Sequence, residues 1–226
     1  MEVAELWRYP VKSMAGEQLA TAEVSPGGVN GDRSLAAFAL GPGATVQPLS
    51  ARQLPALLKY RAAREGDAVL VAGPELDPVA WDDQAVGTSL RRECRRPVQL
   101  RKVPWGAFDD SPILMVHLDT TAALSTEMAA PVDHRRFRAN LYLRGEGIEA
   151  HGEPQLVGRE IRCGDVVLEA TKACQRCSIT TRDPDTWEVW PQLLRQVVQV
   201  HHEMVGVYCR VLVPGRLARG DPVEFI

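Results

Sequence analysis

Thr171–Asp185 reads TKACQRCSITTRDPD. Cys174 and Cys177 stand three positions apart with Gln175 and Arg176 between them, and a run of hydroxyl residues follows. Asp183, Pro184 and Asp185 then dictate a turn. Upstream, Arg159–Ala170 reads as a hairpin: IRC, a Gly164–Asp165 turn, then the alternating, β-branched VVLEA. Both cysteines are therefore expected just past the end of a strand, in a loop that a sheet holds still.

Outward from this stretch the chain is punctuated in the same way. Strands are expected at Val3–Arg8, Leu19–Val24, Arg33–Leu40, Val98–Val103, Ile113–His117, Ala139–Leu143, Gly206–Val213 and Pro222–Ile226. Gly41-Pro42-Gly43 ends the third of these, and Leu57–Val71 is a hairpin turning at Gly66–Asp67. Three helices are expected: Asp83–Arg95 with Asp83 as cap, a helix capped by Asp119 and running to about Met128, and the amphipathic Trp190–Val200. Glu75–Asp82 reads as a polar, Pro-containing connection, and the stretch near 75–83 separates a smaller N-terminal module from a larger C-terminal one. Short strands at this spacing predict a mostly β fold of the barrel or sandwich kind, with a few helices.

The 226 residues suffice for one large or two small domains, and the net charge of −3 gives no general attraction to nucleic acid or an acidic membrane. Five cysteines, an odd and scattered set, predict reduced thiols in a cytoplasm. The opening MEVAELWRYP has no signal-peptide pattern, and no apolar run approaches the ~20 residues of a membrane span.

Cys174 and Cys177 allow four readings. A zinc site needs about four ligands, and no second C-x-x-C or H-x₃₋₅-H completes one. A thioredoxin-type pair calls for a helix after Cys177, where β-branched residues and a turn stand instead. Two buried, inert cysteines are the bland reading. The fourth is one thiolate ligand to a soft metal whose other ligands belong to a cofactor, with Arg176 as its neighbouring cation.

The stretch CQRCSITTRDPDT, Cys174–Thr186, resembles the signature of MOSC-domain molybdenum-cofactor proteins, in particular the amidoxime-reducing branch. There a C-x-R-C-[hydrophobic/Ser]-x-T-T-x-D-P-D-T stretch carries the cysteine that ligates molybdenum, and Cys177 matches that cysteine. Further segments follow the family's order. Tyr9-Pro10-Val11-Lys12-Ser13 is similar to the opening motif, whose lysine and serine contact the pterin. Gly31-Asp32-Arg33 resembles a D-R motif with a cofactor-binding arginine, and Ala51-Arg52-Gln53 echoes another family stretch. Phe108–Pro112 places Asp110, where relatives carry Thr, and Ser111 at the cofactor. Phe137-Arg138-Ala139-Asn140 resembles F-R-P-N, so that Arg138 would clamp the phosphate and Asn140 orient it. Gly206-Val207-Tyr208 matches a Gly-x-Tyr near the metal or pterin.

The resemblance implies a β-barrel-type MOSC domain at 81–226 and a MOSC N-terminal-type β module at 1–80, the Lys12/Ser13 loop contributing to the cofactor site. It implies a molybdenum cofactor (Mo-molybdopterin) held by Lys12, Ser13, Arg33, Asp110, Ser111, Arg138, Asn140, Gln175, Arg176 and Tyr208, with Cys177 as metal ligand and catalytic centre. It also carries an expectation of pyridoxal phosphate binding. The implied activity is an oxidoreductase that removes oxygen from N-hydroxylated or N-oxide-type small molecules. With no GxGxxG fingerprint and no ferredoxin-like cysteine cluster, its electrons would come from an external donor protein. A binding, carrier or sulfur-relay protein without small-substrate turnover is the alternative. The five histidines match no ligand in this scheme, although His151 in a loop could touch substrate.

Overall fold

The computed structural model describes residues 1–41 and 47–226, so the expected Pro42–Gly43 break lies outside the described residues. The described residues form two compact units. One comprises Met1–Trp7, Gln18–Asn30 and Asp109–Ile226; the other comprises Arg8–Glu17 and Gly31–Phe108. The fold is mostly β with three α-helices, as expected.

The first unit is organised by an eight-stranded sheet. Its order is Val223–Phe225, Glu160–Cys163, Val166–Gln175, Met204–Val213, Ile113–His117, Leu141–Arg144, Glu2–Arg8 and Glu17–Leu19. Side-chain alternation sorts its centre into two cores. Ile113, Met115, Leu141, Leu143, Val207 and Cys209 pack on one face. Leu114, Val116, Tyr142, Cys174 and Val205 face the other, against Leu124, Leu193 and Val197 of the helices Leu118–Glu127 and Pro191–Val200. Burial on both faces explains why ILMVH is an unbroken apolar run. That strand pairs in parallel with Leu141–Arg144, and the helix Leu118–Glu127 makes the crossover.

Two expectations need correction in this unit. The barrel does not close: its end strands, Val223–Phe225 and Glu17–Leu19, lie at opposite edges of the sheet order. The first strand meets the approach to the last through an isolated bridge, Glu2–Pro222, and the bond Val3 N to Asp221 O at 2.9 Å. Val223 N to Met1 O at 3.0 Å completes that bridge. The cap of the second helix is His117, not Asp119: its Nδ1 accepts from Asp119 N at 3.2 Å.

The second unit holds the antiparallel pair Leu35–Ala39 and Val98–Lys102, and the sheet Arg61–Glu65, Ala68–Gly73 and Leu76–Ala80. The hairpin turns at Gly66–Asp67 as expected. Helix Gln84–Cys94 starts at Asp83, whose carboxylate accepts from Ala85 N at 2.7 Å, and buries Val86 and Leu90 among Leu57, Tyr60 and Val71. Residues 76–80, expected as a connection, form an edge strand. Pro78 falls where its register shifts against Ala68–Gly73, the kind of position that tolerates proline. No helix among the described residues is long and apolar enough to cross a membrane.

Candidate functional site

The strand that starts at Val166 runs on to Gln175, further than its β-branched start suggests. Cys174 therefore lies inside the strand and is 1% exposed, while Cys177 lies past its end and is only partly buried. Three shifts of register against Met204–Val213 fall along this strand, the last between Ala173 and Gln175. Such bulges re-aim side chains. Cys177 then opens the 3₁₀ turn Ser178–Thr181, and its side chain makes no capping hydrogen bond.

The acidic turn after the hydroxyl run has a definite task. Asp183 Oδ1 accepts from the backbone N–H of Asp185 (3.0 Å) and Thr186 (2.9 Å), closing the expected turn. Its other oxygen meets Arg136 at 2.7 Å, and Arg136 also donates to Thr181 O at 3.2 Å. Arg135 bonds Asp185 in a fork at 3.1 and 2.5 Å. This fastens the 3₁₀ turn His134–Phe137, and hence Arg138 just after it, to the cysteine loop. Arg138 itself is left-handed (φ 55°). Sequence reasoning missed Arg135 and Arg136; adjacent arginines ahead of a DPD turn are the signal that was there to be used.

Arg176 is turned into the loop. It donates to Cys174 Sγ at 2.9 Å and to Phe137 O at 2.8 Å, and its guanidinium lies 5.2 Å from the Phe137 ring centroid. Burial works to lower its pKa, but the sulfur of Cys174, the phenol of Tyr208 and the sulfur of Cys177 outweigh that and raise it. The Tyr208 phenol is pushed above its usual range by burial and then by Cys174. Gly206, at φ +81°, allows the strand to carry Tyr208 here. A Cβ on it would stand 2.7 Å from Met115 O and 2.6 Å from Val116 Cγ2.

Beside this cluster, Ser111 Oγ bonds Asp110 (3.1 Å) and Thr171 (3.0 Å), and Lys172 bonds Asp110 at 2.8 Å. Asp110 therefore already holds a cation. Gln175 reaches out of the strand to the carboxylate of Glu203. Asn140 is fully buried and serves the sheet: its Oδ1 accepts from Leu114 N at 3.2 Å, and its Nδ2 donates to Trp7 O at 3.3 Å.

In the second unit, Lys12 is buried and donates to Ala107 O at 2.7 Å. Ser13, left-handed at φ 69°, accepts from Ala51 N at 2.9 Å. Arg33 pairs with Asp32 and lies 5.0 Å from the Tyr9 ring centroid, and Asp32 accepts from Tyr9 N at 2.7 Å. Arg52 is exposed. Within this unit, then, Lys12, Ser13 and Arg33 are each fixed by the fold.

A sulfur-ligated metal on an anionic scaffold needs a reachable thiol and cations close by. Cys177 is partly buried with its side chain outside any cap, and Arg176 and Arg138 belong to the same fastened loops. The donor set fits such a group.

The chain is similar to known proteins along its length. Residues 102–224 match the MOSC domain family, and residues 1–100 match the MOSC N-terminal beta barrel domain. The chain is 23% identical to the human "Mitochondrial amidoxime-reducing component 1", over 99% of this chain and 82% of that protein. It is also 23% identical to the bovine "Mitochondrial amidoxime reducing component 2", over 98% and 82%. The crystal structure of the YUAD protein from Bacillus subtilis has a similar fold, with a TM-score of 0.54 at 15% identity, over 99% of this chain and 94% of that one. None of this supports the expected pyridoxal phosphate. With more than half of its length matched by one family and the remainder by that family's N-terminal module, the chain belongs to the MOSC domain family.

Proposed function

We propose that the chain is a molybdenum-cofactor-dependent oxidoreductase that removes oxygen from N-hydroxylated or N-oxide-type small molecules, with Cys177 as the protein's ligand to molybdenum. The observation that carries this reading is the contrast between its two neighbouring sulfurs. Cys174 is sealed and bonded by Arg176, whereas Cys177 is reachable and makes no cap. The substrate class is taken from the names of the human and bovine relatives.

When bound, the cofactor supplies two-electron oxygen-atom chemistry at a sulfur-ligated metal. The chain's own residues bind and orient. Arg176 sets a positive charge beside the ligand sulfur while holding the loop to Phe137. Arg138 would contact the phosphate, and Asn140 would position it through the buried strand bonds that carry its segment. Asp110, Ser111 and Gln175 would serve the pterin edge, and the Tyr208 phenol, which keeps its proton above the usual range, would be a proton source in the site. For Lys12, Ser13 and Arg33 the motif resemblance alone supports a cofactor contact. An external donor protein supplies the electrons. Five free cysteines support a reducing, cytoplasmic setting.

Sulfur relay would need Cys174 to be reachable, and it is 1% exposed; a carrier without small-substrate turnover differs from the enzyme in turnover itself. The test is turnover. Protein made in a host that synthesises the cofactor, supplied with a chemical reductant, is expected to reduce amidoximes or hydroxylamines. No turnover while the metal itself remains reducible would overturn the enzyme reading.

A further inference from the structure

Away from the cysteines, three metal-ligating side chains from distant segments converge. Glu127 ends the helix Leu118–Glu127, His151 sits in a turn at φ 63°, and His201 follows the helix Pro191–Val200. His151 Nε2 lies 3.2 Å from Glu127 Oε1, and His201 Nε2 lies 2.8 Å from Glu127 Oε2. The two imidazoles stack with centroids 3.6 Å apart. One ligand atom from each of the three residues falls within 4.8 Å of the other two. We propose that Glu127, His151 and His201 bind a divalent cation of the zinc class, at a site separate from Cys177.

Two independent observations carry this. The first is spacing. Ligands about 2.0–2.1 Å from a tetrahedral zinc stand roughly 3.3 Å from one another; one ligand atom of each residue already lies within 4.8 Å of the other two, and the two imidazoles, now stacked with their planes 12° apart, turn out of that stack so that each ring plane contains the metal. Two histidines and a glutamate make a three-ligand zinc set with a fourth position for water. The second is a pair of orphaned buried atoms nearby. His151 Nδ1 and Glu153 Oε2 each lack a hydrogen-bond partner among the described residues, and the Glu153 charge acts on His151. A metal on Nε2 forces the ring proton onto Nδ1. That gives the Glu153 carboxylate a donor through one water, in the carboxylate–histidine–metal arrangement that orients such ligands.

The site would fix the turn at 201–203. Glu203 in that turn accepts from Arg176 N at 2.8 Å and bonds the side chain of Gln175. Metal binding would therefore stiffen the base of the cysteine loop without touching its sulfurs. The proposal stands whether or not Cys177 ligates molybdenum.

The test uses the full chain, stripped with a chelator and titrated with zinc against a chromophoric competitor. One equivalent is expected to bind. Glu127→Gln and His201→Ala are each expected to weaken it at least about 100-fold, beyond the 10–100-fold typical of losing an outer-shell partner. Free zinc at a hundredfold over its Kd should raise the wild-type folding equilibrium about a hundredfold, and that of either variant by no more than about twofold. Should His201→Ala fail to fold, Glu127→Gln, which keeps the side chain's size and one acceptor oxygen, gives the answer alone. Cobalt(II) in place of zinc should give a spectrum without thiolate charge transfer. No binding, equal binding by the variants, or a thiolate band would each overturn the proposal.

Discussion

Two donor clusters of the first unit make opposite use of burial. In the cysteine loop, one sulfur is sealed in the core as packing, and the fold exposes the second, three residues on. In the Glu127–His151–His201 cluster, one ligand atom from each residue lies within 4.8 Å of the other two, while His151 Nδ1, across the ring from its Nε2, is buried without a partner among the described residues. The loop is stabilised by cations, namely Arg176 within it and Arg135 and Arg136 across from it. The histidine cluster has one carboxylate shared by two rings and Gln196. Softness follows the same division: a lone reachable sulfur suits a metal that arrives with its own sulfur ligands, while nitrogen and oxygen donors suit a bare borderline cation.

The largest test of this contrast is replacement of each cysteine in turn. Cys177→Ala is expected to lower bound molybdenum at least about tenfold, as losing a direct ligand should exceed an outer-shell loss. Cys174→Ala should retain the metal and lower folding stability by about 1 kcal/mol. Metal analysis and denaturant unfolding read the two effects, and equal molybdenum in both variants would break the comparison. Next is Arg176→Met, which leaves Phe137 O and the Cys174 sulfur without their donor. It should cost about 1–3 kcal/mol in unfolding experiments. If the same variant also weakens zinc binding, the two clusters communicate through the 201–203 turn.

The smallest effect concerns the cationic frame. Burial opposes ionisation of Asp133, but Arg135 outweighs it and holds the carboxyl below its ordinary value. Its contribution is full above the unfolded carboxyl pKa near about 3.9 and is lost as pH falls through the lower folded value. Asp133→Asn should therefore cost about 0.5–1 kcal/mol at neutral pH and flatten the acid limb of a stability–pH curve.

Local signals in the chain were enough for much of this architecture. The alternation of VVLEA with Gly164–Asp165, and Asp83 ahead of an amphipathic run, each declare one element. Pro78 argued against a strand that tolerates it only because it lies at an edge, and His117 is an unusual cap. Closure of a barrel was not legible because it depends on two edges far apart in sequence. At the candidate site, the CQRC stretch marked the cysteine loop, but not which sulfur is sealed. That depends on a strand continuing to Gln175. The Arg135–Asp185 fork joins residues 50 positions apart, and Glu127, His151 and His201 follow no motif spacing. Such partners meet only once the helices pack on the sheet.

The ladder between Val166–Gln175 and Met204–Val213 changes step three times. A regular pair of strands can slide by two residues and find the same faces again; this pair has no second alignment that matches. The heading of the thiol is thus written into the spacing of the main chain itself, like the cut of a key, and does not depend on how snugly any neighbour packs.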